Sequence, residues 1–228
     1  MRIAEVFHSV QGEGILMGVP SVFVRTTGCN LRCQWCDTPY TSWTPEGEAL
    51  AVEQVLDRVA AYRCGHAVVT GGEPLIAGGI EGLLAGLRGL GMHLTVETAA
   101  TVFKRVECDL ASLSPKLSNS TPWQREGGRW ALRHESLRLN VPVIRAWMDA
   151  HPYQLKFVID RTEDIAEVLA LLEKLGEPEA SRVLLMPQGT TAELLRERGL
   201  WLVEECKRLG FRFCPRLHVE LWGHTRGT

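Results

Sequence analysis

Short apolar runs alternate with amphipathic stretches about six times along this chain of 228 residues, and that alternation limits the fold more than any other feature. The N-terminal stretch Met1-Arg2-Ile3-Ala4-Glu5-Val6 reads as a strand, as do Val22-Phe23-Val24, Ala67-Val68-Val69 and Leu94-Thr95-Val96. Leu110 to Leu113, Gln154 to Ile159 and Val183-Leu184-Leu185 follow, and a last strand starts at Phe211 to Phe213. Helices are expected over 52–63, where Val52, Val55, Leu56 and Val59 share a face, and over 80–90 despite three glycines. Three more are expected around 142–150, with Pro142 in the first turn, and over 163–175 and 192–209. Residues 118–133 are polar and rich in Gly, Trp and Arg, and read as a loop.

Strand then helix, repeated, predicts a parallel sheet with right-handed crossovers. Six units fall short of the eight in a closed barrel. The expected fold class is therefore α/β, a partial, open TIM-like barrel with a mostly parallel sheet, in one domain over 1–228. Gly71-Gly72-Glu73-Pro74, Glu97-Thr98, Ser114-Pro115-Lys116 and Met186-Pro187-Gln188 all come just after strands. That places them on one rim, the edge where active sites form in such folds.

One loop departs from this regular pattern. Gly28-Cys29-Asn30-Leu31-Arg32-Cys33-Gln34-Trp35-Cys36-Asp37-Thr38 carries three cysteines in a C-x3-C-x2-C spacing. Soft thiolates select iron-sulfur clusters or zinc. Three of them leave a four-iron cluster one protein ligand short, and an iron with an open position can bind a cofactor and do chemistry on it. The competing reading is structural zinc, which wants a fourth ligand; His8 or Cys64 would have to fold back to supply it. The remaining cysteines, Cys64, Cys108, Cys206 and Cys214, are scattered and read as small core hydrophobes. An odd total of seven, with three in one loop, argues for a metal in a reducing compartment rather than a disulfide framework. A net charge of -2 gives no sign of a nucleic-acid or membrane partner. No window approaches the roughly 20 apolar residues of a membrane helix, and the N-terminus lacks an apolar signal segment, so the expected location is the cytoplasm.

The cysteine loop, with its aromatic before the third cysteine, resembles the cluster motif of the radical S-adenosylmethionine (SAM) superfamily. Gly71-Gly72-Glu73-Pro74 resembles that superfamily's glycine-rich segment, which meets the methionine amino group of SAM. Glycine lets backbone come close to a ligand, and Glu73 could accept from an ammonium. The block Phe7-His8-Ser9-Val10-Gln11-Gly12-Glu13-Gly14, together with Cys36-Asp37-Thr38, Ser114-Pro115-Lys116 and Cys214-Pro215-Arg216-Leu217-His218, narrows the resemblance. From about residue 3 to about residue 222 the chain is similar to the 7-carboxy-7-deazaguanine synthase family of queuosine and deazapurine biosynthesis.

That resemblance implies a lyase acting on 6-carboxy-5,6,7,8-tetrahydropterin, with loss of ammonia. A reduced 4Fe-4S cluster cleaves SAM, the 5′-deoxyadenosyl radical abstracts hydrogen from C6, and the ring contracts. SAM is regenerated and magnesium is used. Cys29, Cys33 and Cys36 are then the cluster ligands and Thr38 the magnesium ligand. Trp35, Cys36, Asp37, Gly72, Glu73, Ser114, Pro115, Lys116, Met186, Pro187, Gln188 and Gly189 become SAM contacts. Val10, Gln11, Gly12 and Glu13 are assigned to the heterocycle, Arg25 to the substrate carboxylate, and Thr70 and His218 to further substrate contacts. A carboxylate acceptor and an Arg fork suit the two ends of such a pterin. The resemblance also implies a homodimer and an external, flavodoxin-like electron donor. The chain departs from relatives at Ala99-Ala100, at Arg216 and Val219, and in the tail beyond Trp222. Two other readings remain at this point, namely a different radical SAM enzyme such as a glycyl-radical activase, and a non-catalytic metal-binding module.

Overall fold

The computed structural model describes residues 1–228. Its nine strands join one sheet in the order β3-β1-β2-β4-β5-β6-β7-β8-β9, which ends at two edges and does not close. The chain opens with a hairpin in which β1 (Arg2–Val10) runs antiparallel to β2 (Pro20–Thr26). The cysteine loop and the short helix α1 (Pro39–Ser42) follow, and β3 (Glu48–Ala49) pairs back on the outer side of β1. From β2 onward every pairing is parallel. Helix α2 (Val52–Ala60) leads into β4 (His66–Gly71), and α3 (Ile80–Gly89) leads into β5 (His93–Thr98). Strand β6 (Leu110–Leu113) is followed by α4 (Ala131–Arg138) and α5 (Val141–Ala150), then by β7 (Tyr153–Ile159). Next come α6 (Asp164–Leu175), β8 (Val183–Pro187), α7 (Ala192–Leu209), β9 (Arg212–Phe213) and α8 (Leu217–Trp222).

The two-residue period of each strand sorts its side chains onto two unlike faces. One parity faces the helices: Val22, Val24, Ala67, Val69, Leu94, Val96, Ala111, Leu113, Leu155, Phe157, Ile159, Val183 and Leu185 all join the main core. Val55 and Val59 of α2, Leu83 and Leu87 of α3, Trp147 of α5, Val168 of α6 and Leu202 of α7 pack onto them. Trp147 is fully buried, and its indole N–H donates to the Val102 carbonyl at 2.9 Å. Burying a large apolar side chain of this kind stabilises by about 1.5–3 kcal/mol. The other parity carries Arg25, Thr70, Glu97, Ser112, Lys156, Val158 and Met186, and these line a cavity.

The helix ends follow local chemistry. The Thr191 hydroxyl accepts from the Leu194 N–H to start α7, and Gly210 ends it in a left-handed conformation at φ 72°. Asn140 caps α5 in the same way by accepting from Val143, with proline in the first turn.

The structure corrects several expectations. Residues 118–133 are not one loop: short 3-10 turns lie at Ser118–Ser120 and Arg125–Gly128, and α4 begins at Ala131. The connection from β5 to β6 contains no helix, so the alternation is broken there. Helices α1 and α8 and the short strand β3 were not expected at all. No helix is long and apolar enough to cross a membrane.

Candidate active site

The cavity, of about 280 Å³, lies at the C-terminal ends of the parallel strands, where the turn tetrads converge. Cys29, Cys33 and Cys36 all line it, and all three thiols are free. Burial pushes the Cys29 thiol up to about 12, and burial raises Cys33 as well. No trio of His, Cys, Asp or Glu side chains converges closely enough to hold a single metal ion. The two candidate fourth ligands for zinc are remote. Cys64 donates to the Pro20 carbonyl, at the opposite end of β2 from the cysteine loop, and His8 stacks on Tyr62. The site therefore offers three free thiols on one cavity wall and no fourth Cys or His among the residues that the sequence proposed, which suits a cluster with an open position better than a closed zinc site.

The glycine-rich tetrad is stitched to the cysteine loop. The Glu73 N–H donates to the Gly28 carbonyl at 2.9 Å, and the Gly72 N–H to the Thr26 carbonyl at 3.3 Å. A Cβ on Gly72 would sit 2.1 Å from the Gly28 oxygen and 2.9 Å from the Cys29 Cβ, so only glycine fits this approach. Gly72 lines the cavity, whereas the Glu73 carboxylate turns away beneath the rim and is fully buried. Both its oxygens accept from the Thr98 hydroxyl, and they also take the Leu75 and Ala99 N–H groups. Burial raises its pKa against these hydrogen bonds.

Trp35 lines the cavity and donates its indole N–H to the Asn119 carbonyl at 3.0 Å. Thr38 stands at the N-terminal boundary of α1, yet its hydroxyl caps no backbone amide and lines the cavity. Ser114, Lys116 and Met186 reach the cavity, and the Lys116 ammonium donates to the Ser114 hydroxyl and carbonyl. Pro115, Pro187, Gln188 and Gly189 are not on its wall. Gln188 is held from behind by Arg198.

The opposite wall is built from distant parts of the chain. Val10, Gln11, Gly12, Glu13, Arg25, Thr70 and His218 all face the cavity. The His218 ring lies so close to Gly12 that a Cβ there would sit 2.0 Å from its Nδ1. Gln11 donates to Glu97 at 3.2 Å, and Thr70 donates to the other Glu97 oxygen at 3.0 Å. Arg25 gives its Nε to Glu5 at 2.8 Å. Glu13 accepts from Lys156 on one oxygen and from Arg216 Nε at 2.9 Å on the other. Burial opposes its charge, but the two cations, Lys156 foremost, hold its carboxyl far below the usual carboxylate range. Arg216 also donates to Asp37 and to the Gly189 carbonyl, tying the cysteine loop to the β8 rim.

A scan against family profiles matches residues 23–116 to the radical SAM superfamily. The chain is 45% identical to the 7-carboxy-7-deazaguanine synthase of Rhodopirellula baltica, covering 100% of this chain and 89% of that protein. It is 43% identical to the synthase of Halobacterium salinarum, covering 97% and 90%. The chain belongs to the 7-carboxy-7-deazaguanine synthase family. The crystal structure of QueE from Escherichia coli shares its fold, with a TM-score of 0.69 at 24% identity over 95% of this chain and 94% of that one. As a member of this synthase family it is a radical SAM lyase, and its cofactors are a 4Fe-4S cluster and SAM.

Sequence reasoning missed Lys156 as a member of the site, placed Glu97 on the rim without giving it a role, and took Arg216 as part of the family resemblance and as a departure from relatives, with no role in the site. Strand parity could have found two of them. Gln154 and Lys156 alternate with Leu155 and Phe157 in β7, and Glu97 alternates with Val96 and Thr98 in β5. A lysine on the non-core parity of a buried strand must face a polar site or a partner.

Proposed function

We propose that the cavity converts 6-carboxy-5,6,7,8-tetrahydropterin to 7-carboxy-7-deazaguanine with loss of ammonia, and that 1–228 works as one catalytic domain. The observation that carries this reading is the meeting, in one cavity, of three unpaired thiols with the polar wall of Gln11, Glu13 and Arg25. A 4Fe-4S cluster and SAM, when bound, would supply the radical chemistry that removes hydrogen from C6 of the substrate. Cys29, Cys33 and Cys36 hold that cluster, and Trp35, Asp37, Gly72, Ser114, Lys116 and Met186 surround SAM. Glu73 acts one layer back, fixing the rim on which Gly72 sits. We assign the same supporting place to Pro115, Pro187, Gln188 and Gly189.

Glu13 stays anionic and receives the N–H donors of the pterin. An ionised carboxylate has about four acceptor sites, and Lys156 and Arg216 occupy one oxygen each, so acceptor capacity remains for substrate. Arg25 is oriented by Glu5 through Nε alone, which leaves its two terminal nitrogens for a bidentate grip on the substrate carboxylate. Val10, Gly12 and His218 flank the heterocycle, and Thr70 contacts it from the end of β4. Thr38 supplies a hard oxygen for magnesium, an ion that keeps several waters and takes few protein ligands. A homodimer, an external flavodoxin-like reductant and a reducing cytoplasm complete the proposal. The seven unpaired cysteines support the last.

The test is anaerobic reconstitution with iron and sulfide, followed by SAM, dithionite, magnesium and carboxytetrahydropterin. Appearance of deazapurine absorbance with one equivalent of ammonia is expected. SAM cleavage without that product favours another radical SAM activity, and a protein that takes up zinc and cleaves no SAM refutes the enzyme altogether.

A further inference from the structure

Gln154 is a buried amide that the cavity does not use. It lies on β7 two residues before Lys156, on the same face of the strand, is only 2% exposed, and is not on the cavity wall. A buried amide costs free energy unless both its ends are hydrogen-bonded. Here both are. Its Oε1 accepts from the Ile15 N–H at 2.8 Å, and its Nε2 donates to the Ser112 hydroxyl at 2.7 Å. Ser112 is its register partner on β6. A backbone N–H can only donate, so the amide oxygen must face the turn and the side chain has one orientation. Ile15 itself is 40% exposed, so this bond ties a surface turn to the interior of the sheet.

That turn, 11–19, joins β1 to β2 and carries Glu13. It is held on each side of the carboxylate. The Leu217 N–H donates to the Gly12 carbonyl at 2.9 Å, and the Gly14 N–H donates to the buried Cys214 Sγ at 3.1 Å. Gly14 has φ +81°, and a Cβ there would sit 2.4 Å from Gln154 Nε2. The backbone of the turn thus rests directly on the amide. Gln154 and Lys156 come from one strand, so the same element fixes the turn that carries Glu13 and supplies a cation that pairs with it.

We infer that Gln154 is a positioning residue for the substrate, setting the place of the Glu13 carboxylate through the backbone of Gly14 and Ile15. This rests on the proposed function, in which Glu13 receives the N–H donors of the pterin. Hydrogen bonds to a flat heterocycle are directional, and a displacement of about 1 Å in a recognition group removes much of its effect. An apolar side chain of the same length would fill the space. It would leave the Ile15 N–H without its acceptor and the Ser112 hydroxyl without its donor. The turn would then be free to shift, and Glu13 with it. The other role open to a polar residue here is direct contact with substrate. Its place off the cavity wall and its two occupied ends argue against that.

The experiment uses the reconstituted full chain with SAM, dithionite, magnesium and carboxytetrahydropterin. Gln154→Met should raise KM for the pterin about fivefold or more with kcat within about threefold, the pattern of lost substrate binding. Iron content and the Kd for SAM should stay at the wild-type values, which a general loosening of the fold would not allow. Gln154→Glu should bring KM back to within about twofold of wild type, because burial favours the neutral acid, whose carbonyl and hydroxyl reproduce both hydrogen bonds. In a Glu13→Gln background, Gln154→Met should add less than about twofold, since residues that act through one another are not additive. Gly14→Ala presses on the same turn from the other side and should raise KM likewise, so the inference stays refutable even where Gln154→Met does not fold. Wild-type KM in Gln154→Met, or in Gly14→Ala where that variant does not fold, would overturn it. So would a Gln154→Glu protein as impaired as Gln154→Met, an undiminished effect in the Glu13→Gln background, or a parallel loss of SAM affinity. A wild-type chain that makes no deazapurine ends the catalytic reading and this inference with it, whereas normal wild-type turnover with any of those results removes the role of Gln154 alone.

Discussion

Arg216 joins three parts of the site at once, so Arg216→Met is the most informative single change. The side chain is 6% exposed and meets Glu13, Asp37 and the Gly189 carbonyl. Stripping one partner from a buried ion pair costs about 3–5 kcal/mol. Two features reduce that here. Lys156 still compensates Glu13, and the Asp37 side chain is 38% exposed and can rehydrate. We expect about 2–3 kcal/mol, near the lower bound for a broken buried pair, which for a chain of this length is a fall in Tm of about 4–12 °C. Differential scanning calorimetry of the metal-free protein at pH 7 measures it. The pH dependence has a definite sign. Glu13 and Asp37 have depressed pKa values, so their stabilisation is present above the ordinary carboxylate range and is lost as pH falls through the lower folded values. The gap between wild type and variant should therefore be full at pH 7 and shrink below about pH 4. A change in Tm under 2 °C at pH 7, or a gap that widens in acid, would refute the reasoning.

Gly72→Ala should cut iron incorporation at least fivefold with the far-UV circular dichroism unchanged, because its Cβ collides with the Gly28 carbonyl under the cysteine loop; iron content near wild type would contradict this. Glu73→Gln should cost about 1–3 kcal/mol, the usual penalty for unsatisfied buried donors, since an amide cannot accept from Leu75 and Ala99 on both arms. The raised pKa of Glu73 makes its contribution greatest below the unfolded pKa and smaller as pH rises through the folded value, so urea titrations should show this gap narrowing toward alkaline pH. Removing 223–228 breaks contacts made mostly at the surface, Arg226 with Glu5, Glu46 and the Tyr40 ring, His224 with the Asp37 carbonyl, and the Gly223 N–H with the Val219 carbonyl. Exposed pairs contribute about 0–1 kcal/mol each, so Tm should hold within a few degrees while KM for the pterin rises severalfold, because these residues border the cavity.

Much of the architecture is legible in the sequence because parallel strands covered by helices must be apolar, and such runs stand out between Gly/Pro turns. Val22 to Val24, Ala67 to Val69 and Val183 to Leu185 are of this kind, and each lies within an observed strand. Helix α4 escapes because only Ala131 and His134 of its eight residues are buried, too little for an apolar stripe. The link from β5 to β6 escapes for the opposite reason. Val102, Phe103 and Val106 pack on the core although no helix carries them, so a helix-like spacing there answers to no helix. The three cysteines and the glycine-rich tetrad are readable because their chemistry is local and their spacing short. Arg216 is not, since it matters through Glu13, Asp37 and the Gly189 carbonyl, and pairings across the whole fold leave no mark on neighbouring letters.

Glu13 finds its two cationic partners 143 and 203 positions further along the chain. Synthesis runs from the N-terminus, and early segments emerge first. A growing polypeptide thus displays its three thiols and its acidic substrate block long before the arginine that clasps them exists. The chamber takes its final shape only once Arg216 has been made and has met Glu13, so iron and sulfide reach a fully walled site only after that pairing has formed.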